Sequence, residues 1–315
     1  MRVLVVYDVE GWAYYHHACA LRQNAPPDIG VHICAVDAVS WEQAADYDLL
    51  FWMPYRNVAL ARAEVQSRGL RLPLVVSYTY GPYQDEERWL RTLDSADFAI
   101  VNSVYRWQLG GAVPRTCAIA NGVDEAIFRT EAPITERPHR CLWVGSILAA
   151  EVKSYQSVIL PLQEELQPRG FECDFRLVDS FAAPLRLHEM ACWYNSGSYI
   201  LCASVEEGTP NPILEGMSCG CVAVSTLVGN LREFGRDGEN CLIAERSVAS
   251  FVEKLEFARE KRRRLSESGL ATMKKCGFAW RERSQYYYQV WRRVIRDGAH
   301  TVRPFRYDET NWQDI

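Results

Sequence analysis

Short apolar runs rich in β-branched residues alternate with helical segments along almost the whole chain, and this alternation restricts the fold more than any other feature. A parallel pair of strands needs a crossover connection, which is usually a helix, so the pattern predicts parallel sheets with helices on their faces. The predicted strands are Val3–Tyr7, Val31–Ala35, Leu49–Trp52, Leu74–Ser77, Phe98–Asn102, Thr116–Ile119, Cys141–Val144, Asp174–Val178, Tyr199–Ala203, Val222–Ser225 and Cys241–Ile243. The predicted helices are Tyr14–Gln23, Glu86–Leu93, Gln156–Leu166, Pro184–Trp193, Pro212–Cys219, Val248–Ser268 and Ala279–Asp297.

The pattern breaks between Thr130 and His139, where prolines stand among charged residues, as is typical of a linker. Strands and helices alternate on both sides of this stretch, and 315 residues are enough for two domains. We therefore expect an α/β protein of two doubly wound, Rossmann-like domains that face each other across a cleft, with the first domain over residues 1–136. Ligands of such sheets bind beyond the carboxyl ends of the strands, where Gly145, Glu207 and Gly229 fall.

Composition argues against several classes of protein. Hydrophobic residues make up 48% of the chain and charged residues 24%, as in ordinary soluble proteins. The formal net charge of −5 gives no argument for nucleic acid as a partner. No apolar run approaches the roughly 18 residues of a membrane span, and the chain starts on a strand rather than on a basic and then apolar leader. These features predict a cytoplasmic protein.

Cysteine usage agrees with that compartment. The chain has 11 cysteines, an odd number, and several of them (Cys34, Cys141, Cys202, Cys219) fall inside predicted strands or helices. Buried reduced thiols explain this distribution better than disulfides do. The chain has no Cys-x-x-Cys pair, and Cys221 lies in a helix-to-strand connection, so we expect no metal site.

Two carboxylates, Glu207 and Glu215, flank a Gly-Thr-Pro-Asn-Pro turn between two predicted strands. Asn211 is expected to cap the helix that follows, and Pro212 fits its first position because proline has no amide hydrogen to leave unpaired. Free amides and the helix dipole would then form an anion site in front of the helix. The amides expected to point there are those of Gly208, Thr209, Ile213 and Leu214.

Carboxylates beside an anion site repel a simple phosphate, but a nucleotide sugar suits both features. Its diphosphate accepts hydrogen bonds from the amides, while its ribose and hexose hydroxyls donate to the carboxylates. Glu215, one turn into the helix, is placed for the ribose diol, and Glu207, on the loop, for the sugar ring. The alternative is that Glu206 and Glu207 are solvated loop acids and that Glu215 is an ordinary residue of a helix surface.

Three groups of motifs resemble those of the family 4 retaining glycosyltransferases, which have the GT-B fold. The first is Glu207-x7-Glu215 with Met217-x-Cys219-Gly220, Ser225-Thr226-x-x-Gly229-x-x-x-Glu233 and Asp237-Gly238-x-Asn240. The second is Ala96–Ser103 with Ala118–Asp124 and Phe128, and the third is Cys141–Gly145. They follow the order of the family over roughly residues 96–245.

The resemblance implies a metal-independent retaining glycosyltransferase of the hexosyltransferase type, with no cofactor. Such an enzyme moves a sugar from a nucleotide-diphosphate sugar to an acceptor hydroxyl of a glycan, a glycolipid or a natural product. The last helix of the family crosses back onto the first domain. That role falls here to residues 286–315, with helix Tyr286–Ile295, and leaves residues 137–285 as the donor domain.

The phosphate end departs from the family pattern. Relatives carry an arginine directly after the strand-ending glycine and a lysine soon after, whereas here Ser146 follows Gly145 and Lys153 lies in a longer loop. Lys153 is the predicted phosphate cation and shares the catalytic role with Glu207, because a cation stabilises the departing diphosphate; a solvated loop lysine is the alternative. The predicted donor-binding residues are Gly145, Ser146, Gly208, Thr209, Pro210, Asn211, Ile213, Leu214, Glu215, Thr226 and Gly229.

The acceptor side is expected in the first domain, after its first and fourth strands. Gly11 stands where the family has a glycine-rich turn, and aromatic side chains can stack on a sugar ring. The candidates are Gly11, Trp12, His16, His17, Tyr78, Thr79 and Tyr80. Packed histidines and core aromatic residues are the alternative for these positions.

Other functions remain open at this point. The missing arginine, and the missing histidine where Thr79 or Tyr80 stands, motivate a nucleotide-sugar-binding GT-B protein without transferase activity. A nicotinamide-dependent oxidoreductase is disfavoured because the turn after the first strand lacks Gly-x-Gly-x-x-Gly. A phosphorylase or a sugar epimerase of similar fold is a further alternative. The basic run Lys261–Arg264 is either a solvated helix face or a weak peripheral contact with a membrane surface.

Overall fold

The computed structural model describes residues 1–78, 86–109, 114–179 and 186–299. Two of the acceptor candidates, Thr79 and Tyr80, lie outside the described residues. The chain divides into two compact units: the first joins Met1–Gly122 to the chain from Trp280 onwards, and the second is Val123–Ala279. The prediction placed these divisions after residue 136 and after residue 285, so both lie earlier in the chain than expected.

The first unit begins with a parallel sheet whose strand order is β2-β1-β3-β4-β5-β6. Its elements up to residue 118 are β1 (Arg2–Tyr7), α1 (Ala13–Gln23), β2 (Gly30–Ala35), β3 (Leu49–Trp52), α2 (Val58–Ser67), β4 (Leu74–Tyr78), α3 (Glu86–Ser95), β5 (Phe98–Val101), α4 (Val104–Leu109) and β6 (Thr116–Ala118). The predicted strands of this unit are confirmed. Helix α2 was not predicted, although it buries Val58, Ala61 and Val65 at helical spacing.

The second unit contains a five-stranded parallel sheet of order β11-β10-β9-β7-β8. Its elements are β7 (Arg140–Ser146), α5 (Leu160–Leu166), β8 (Glu172–Val178), α6 (Leu187–Asn195), β9 (Tyr199–Cys202), α7 (Asn211–Ser218), β10 (Val222–Ser225), α8 (Leu231–Phe234), β11 (Leu242–Ile243) and α9 (Val248–Lys275). After it, α10 (Trp280–Asp297) belongs to the first unit. Both sheets are parallel with helices between their strands, which is the α/β architecture that the alternation predicted.

Helix α10 is tied into the first unit by aromatic packing. Trp280, Tyr287 and Trp291 belong to the buried cluster that covers one face of the first sheet, and the Phe51 ring of β3 lies 5.4 Å from the Trp291 ring. The Tyr288 hydroxyl donates to the Leu21 carbonyl at the end of α1, at 2.6 Å. The C-terminal helix is therefore part of the hydrophobic core of the first unit.

The predicted linker is integrated into the second unit through a buried arginine. The Arg137 side chain donates to the carbonyl of Ala132 at 2.7 Å, to that of Cys219 at 2.8 Å and to the side-chain oxygen of Asn195 at 2.9 Å. Ile134 lies in the core of the second unit. A buried guanidinium needs several acceptors, and these contacts hold the predicted linker in the second unit. The boundary between the two units therefore lies before the linker.

Helix α9 runs to Lys275, beyond the predicted end at Ser268. Gly269 lies inside the helix, where the lack of a side chain allows close packing. A Cβ there would lie 3.3 Å from the Asn240 carbonyl oxygen and from the Met217 side chain. The helix stops instead before Gly277, whose φ of 58° favours glycine.

Three further observations bear on the predictions made from the sequence. All eleven cysteines are free thiols, and six of them are buried, whereas buried thiols were expected throughout. No helix within the described ranges is both long enough and apolar enough to cross a bilayer. In the basic run, Arg262 and Arg264 donate to carbonyls of Thr135 and Gly238, and Arg263 pairs with Glu267. These arginines therefore have partners within the chain.

Candidate functional site

The strand order of the second unit creates a switch point between two neighbouring strands. Strand β8 lies on one side of β7, whereas β9, β10 and β11 follow on the other side. The connections after β7 and after β9 therefore leave in opposite directions, and the space between them is where parallel α/β sheets bind ligands. Lys153 lies in the segment that follows β7, and Glu207 in the loop that follows β9.

The backbone after β7 makes tight turns at Lys153 and at the residues that follow it. The Lys153 amide donates to the Ala149 carbonyl at 2.9 Å. Ser154 has a φ of 53°, an uncommon left-handed conformation for a residue with a side chain, and it is buried. A single π-helical turn, Tyr155–Ile159, follows it. Such turns and such residues concentrate at functional sites.

Gly145 makes room for this segment. A Cβ at Gly145 would lie 2.6 Å from the Trp143 ring and 3.5 Å from Cγ of Lys153. The Trp143 ring is buried and stacks on Tyr155 at 5.2 Å between centroids. The Ser146 hydroxyl oxygen accepts from the Leu148 amide at 3.3 Å and so caps a short turn. Gly145 and Ser146 thus shape the loop that carries Lys153.

Lys153 and Glu207 form an ion pair across the switch point. Oε1 of Glu207, the atom that contacts Lys153, also accepts a hydrogen bond from the Ser204 hydroxyl at 2.7 Å. Both side chains of the pair are largely buried, with exposed fractions of 20% for Lys153 and 14% for Glu207. The two loops are also joined through their backbones, since the Val205 amide donates to the Val152 carbonyl at 2.8 Å.

The loop after β10 supports the Glu207 loop from the other side. Gly229, with a φ of 51°, is in contact with Gly208: a Cβ there would lie 2.2 Å from the Gly208 carbonyl oxygen. The Asn230 amide donates to that same carbonyl at 2.9 Å. The Thr226 hydroxyl donates to the Ser204 carbonyl at 2.7 Å. Thr226 and Gly229 therefore act here by holding the loop that carries Glu207.

The start of α7 differs from the prediction in two ways. The helix begins at Asn211 and the cap position is Pro210, which makes no side-chain cap hydrogen bond, so the prediction that Asn211 is the cap residue is wrong. The Ile213 and Leu214 amides donate to the Pro210 carbonyl at 2.9 and 3.3 Å. The prediction that these two amides are free to bind an anion is therefore also wrong. Thr209 and Pro210 are buried at the turn.

Glu215 lies one turn into α7 and is held by a residue that no sequence motif indicated. The hydroxyl of Tyr194, a buried residue of α6, donates to Oε2 of Glu215 at 2.8 Å. Desolvation raises the pKa of the Glu215 carboxyl to about 7, although the hydrogen bond from Tyr194 lowers it. The carboxyl is thus poised between its two protonation states near neutral pH.

The raised pKa of Glu215 predicts a pH-dependent cost to stability. The pKa is about 7 in the folded protein against an ordinary 4.5, so between these values the folded state binds more protons and its free energy of unfolding falls as pH rises. Glu215→Gln keeps an acceptor for Tyr194 and removes the titration. We expect the variant to gain about 3 kcal/mol relative to the wild type between about pH 4.5 and about pH 7.5, measured by urea denaturation at stepped pH.

Glu189→Gln is the matched control, because Glu189 is an exposed glutamate on α6. The difference between Glu189→Gln and the wild type over the same pH range supplies the baseline. A difference for Glu215→Gln that follows this baseline would contradict the burial argument.

The candidates of the first unit separate into exposed and buried groups. Gly11 has a φ of 80° in the turn before α1, where Trp12 and His16 are partly exposed. Desolvation lowers the pKa of His16. His17 is buried between Trp280 and Tyr287, and desolvation lowers its pKa to about 3.

Tyr78 is buried as well, between the rings of Tyr55 and Trp89 at 4.7 Å each. His17 and Tyr78 are thus core residues rather than acceptor contacts, because an apolar strand end and an amphipathic helix bury both rings. Within the first unit, Gly11, Trp12 and His16 are the acceptor candidates that the structure leaves at the surface.

The second unit therefore brings together a cation, a carboxylate and a hydroxyl (Lys153, Glu207 and Ser204) at the carboxyl ends of its strands, and it places a second carboxylate, Glu215, in the helix that follows the Glu207 loop. A lysine can neutralise phosphate, and carboxylates accept hydrogen bonds from hydroxyl groups. Ser204 and Tyr194 were missed by sequence reasoning: only the position of Ser204 directly after a strand could have indicated it. Among the described residues, no three His, Cys, Asp or Glu side chains are grouped so that they could hold a metal ion.

Comparison with known proteins associates part of the second unit with a family. A family model described as "Glycosyl transferases group 1" matches residues 161–260, a stretch that includes Glu207 and Glu215. The D-inositol 3-phosphate glycosyltransferase of Frankia alni is 29% identical over 124 residues. That match covers 39% of this chain and 30% of the relative, so the chain spans less than a third of that protein's length.

Solved structures of low sequence identity share the fold of the chain. Anabaena HepE, in complex with UDP and glucose, has a TM-score of 0.70 at 12% identity over 92% of this chain and 98% of its own. Sucrose-phosphate synthase from Thermosynechococcus elongatus has a TM-score of 0.67 at 14% identity over 94% and 99%. The chain therefore has the GT-B fold of these proteins, and its residues 161–260 match the glycosyl transferases group 1 family.

Proposed function

We propose that the protein is a retaining glycosyltransferase of family 4 that transfers a sugar from a nucleotide-diphosphate sugar to an acceptor hydroxyl. The observation that carries the proposal is the ion pair of Lys153 and Glu207 at the switch point of the second sheet, together with Glu215, which Tyr194 holds in the helix after the Glu207 loop. Two of these residues lie within the stretch that matches the family model. The Glu-x7-Glu spacing gives each carboxylate a different part of one donor.

Each charged group has a role that fits its surroundings. Lys153 binds the diphosphate and stabilises the negative charge that develops as it leaves. Glu207 accepts hydrogen bonds from hydroxyls of the transferred sugar and orients it. Glu215 accepts hydrogen bonds from both hydroxyls of the ribose, and its ionised form is the better acceptor. Nucleotide binding would then lower the pKa of Glu215.

The reaction itself needs little covalent chemistry from the protein. The diphosphate leaves the anomeric carbon, an oxocarbenium-like centre develops, and the acceptor hydroxyl attacks the face that the diphosphate has left. The leaving oxygen takes the proton of the acceptor hydroxyl. We propose that lysine supplies the positive charge in place of a divalent metal ion, so that no metal and no cofactor is required.

The comparisons support a nucleotide sugar as one partner. HepE is described in complex with UDP and with UDP-glucose, which favours a uridine nucleotide as the donor of this protein too. The acceptor is proposed to be a glycan, a glycolipid or a natural product, and Gly11, Trp12 and His16 of the first unit are its candidate contacts. We propose a cytoplasmic location, where nucleotide sugars are available.

Thermal stabilisation by nucleoside diphosphates tests the proposal most directly. The melting temperature is measured with UDP, GDP, ADP, CDP and dTDP, without metal and with EDTA. A ligand at a hundredfold excess over its dissociation constant adds about 2.7 kcal/mol of stability. We expect UDP to give the largest shift and Glu215→Ala to reduce it. No shift with any of the five would contradict a preformed nucleotide site.

A nucleotide-sugar-binding protein without transferase activity is the second candidate, favoured by the residue at position 146. A serine stands where relatives carry a phosphate-binding arginine, and its hydroxyl oxygen is used to cap a turn. That protein would bind the donor but release no free nucleotide from it. Release of UDP from UDP-glucose in the presence of a panel of sugar and glycolipid acceptors separates the two, because any acceptor-dependent release supports the transferase.

A further inference from the structure

Lys153, which is proposed to bind the donor diphosphate, lies against the carboxylate of Glu207. A carboxylate and a diphosphate are both anions, and two like charges at one cation repel each other strongly where solvent is scarce. With exposed fractions of 20% and 14%, the pair is only weakly screened by water.

The position of Glu207 is determined by more than its attraction to the lysine. The Ser204 hydroxyl donates to Oε1 of Glu207, the atom that also contacts Lys153. Ser204 is 2% exposed, and its carbonyl accepts from the Thr226 hydroxyl at 2.7 Å. Hydrogen bonds therefore connect Thr226, directly after β10, through Ser204 to the carboxylate and hold it on Lys153.

We propose that Ser204 is a positioning residue that holds Glu207 as the counter-ion of Lys153, and that the diphosphate of the donor takes over the lysine when it binds. This inference rests on the proposed function, because it assumes that Lys153 binds a diphosphate. Glu207 neutralises the charge of Lys153 until the donor diphosphate binds. Released from the lysine, its carboxylate becomes available to the hydroxyls of the transferred sugar.

The exchange has a consequence that is unusual for a residue of a binding site. Removing the charge of Glu207 should tighten the binding of a nucleoside diphosphate, because the ligand no longer has to displace a competing anion. We expect Glu207→Gln to bind UDP about fivefold more tightly than the wild type, the factor that corresponds to one ion pair of modest strength. Ser204→Ala should shift the affinity in the same direction by a smaller factor.

The affinities are measured by isothermal titration calorimetry with UDP, or with the diphosphate of the panel that stabilises the wild type most. Glu206→Gln is the matched control, since it removes the same charge from the neighbouring position, and we expect its affinity to stay within about twofold of the wild type. A purely structural role for Ser204 or Glu207 predicts weaker or unchanged binding. Tighter binding by both variants therefore supports the proposal.

A double-mutant cycle with Lys153→Met separates exchange from simple repulsion. If the glutamate competes for the lysine, Glu207→Gln should change UDP affinity by less than about twofold when Lys153 is already methionine. An equal gain in both backgrounds would mean that the carboxylate only repels the ligand through space, and would overturn the exchange. Circular dichroism melting of each variant confirms that the fold is kept.

The remaining outcomes distinguish this inference from the proposed function. Unchanged or weaker UDP binding by Glu207→Gln, with normal binding by the wild type, overturns the counter-ion role alone. The absence of diphosphate binding by the wild type and by every variant overturns both, since no anion would then replace the glutamate.

Discussion

Replacing Lys153 by methionine is expected to lower the kcat/KM of sugar transfer by about 10²- to 10³-fold, the usual cost of removing one group that stabilises developing negative charge. Methionine keeps most of the apolar stem, which lies beside Gly145, and removes only the charge. The effect should appear mainly in kcat, because the charge on the diphosphate oxygen increases as the glycosidic bond breaks. Release of nucleotide from the donor is the measurement.

Lys254→Met is the control for this experiment. Lys254 also belongs to the second unit and also pairs with a carboxylate, that of Asp237 at 2.7 Å, on α9 rather than at the switch point. Its replacement should leave transfer within about twofold of the wild type, because the pair is partly exposed through Asp237 and lies on α9. Transfer by Lys153→Met at more than about a third of the wild-type rate would remove Lys153 from the mechanism.

Gly229→Ala is expected to lower the stability of the second unit and to abolish nucleotide binding. The new Cβ would lie 2.2 Å from the Gly208 carbonyl oxygen and 3.1 Å from that of Glu207, and backbone atoms cannot turn away as a side chain can. The φ of 51° adds strain for any residue with a side chain. Together these effects should cost about 2–4 kcal/mol, measured as the loss in free energy of unfolding by urea.

Gly238→Ala isolates the cause of this loss. Gly238 has a φ of 74°, but no heavy atom lies within 4 Å of the position of its added Cβ. This variant carries the backbone strain without the clash, so it should lose about 1–2 kcal/mol and still bind UDP. Equal losses in the two variants would mean that the contact between Gly229 and Gly208 does not support the Glu207 loop.

Most of the strands could be predicted because their signal is local. A strand buried on both faces, such as Leu49–Trp52 or Val222–Ser225, is an apolar run whose limits are set by its own neighbours in the chain. Helix α2 was missed because its buried residues are few and small. The end of α9 was misplaced because Gly269 reads as a helix stop, whereas it serves close packing against Asn240.

The functional site could be predicted only in part. Glu207 and Glu215 stood out by their spacing around a Gly- and Pro-rich turn, and Lys153 through the resemblance to a family that carries a lysine after the corresponding strand. The capping role of Asn211 and the free amides of Ile213 and Leu214 were wrong. Both depended on the residue at which the helix begins, and a shift of one residue gives those amides to the Pro210 carbonyl.

The sequence by itself therefore determined the α/β class, the parallel sheets and the carboxylates of the candidate site, because each of these depends on residues close together in the chain. Only the tertiary structure decided what surrounds those carboxylates. Tyr194 reaches Glu215 from another helix, and Lys153 reaches Glu207 from another strand end. Burial then raises the pKa of Glu215. Hydrogen bonds and desolvation depend on distances in space, and residues far apart in sequence meet only when the sheet order brings their loops together.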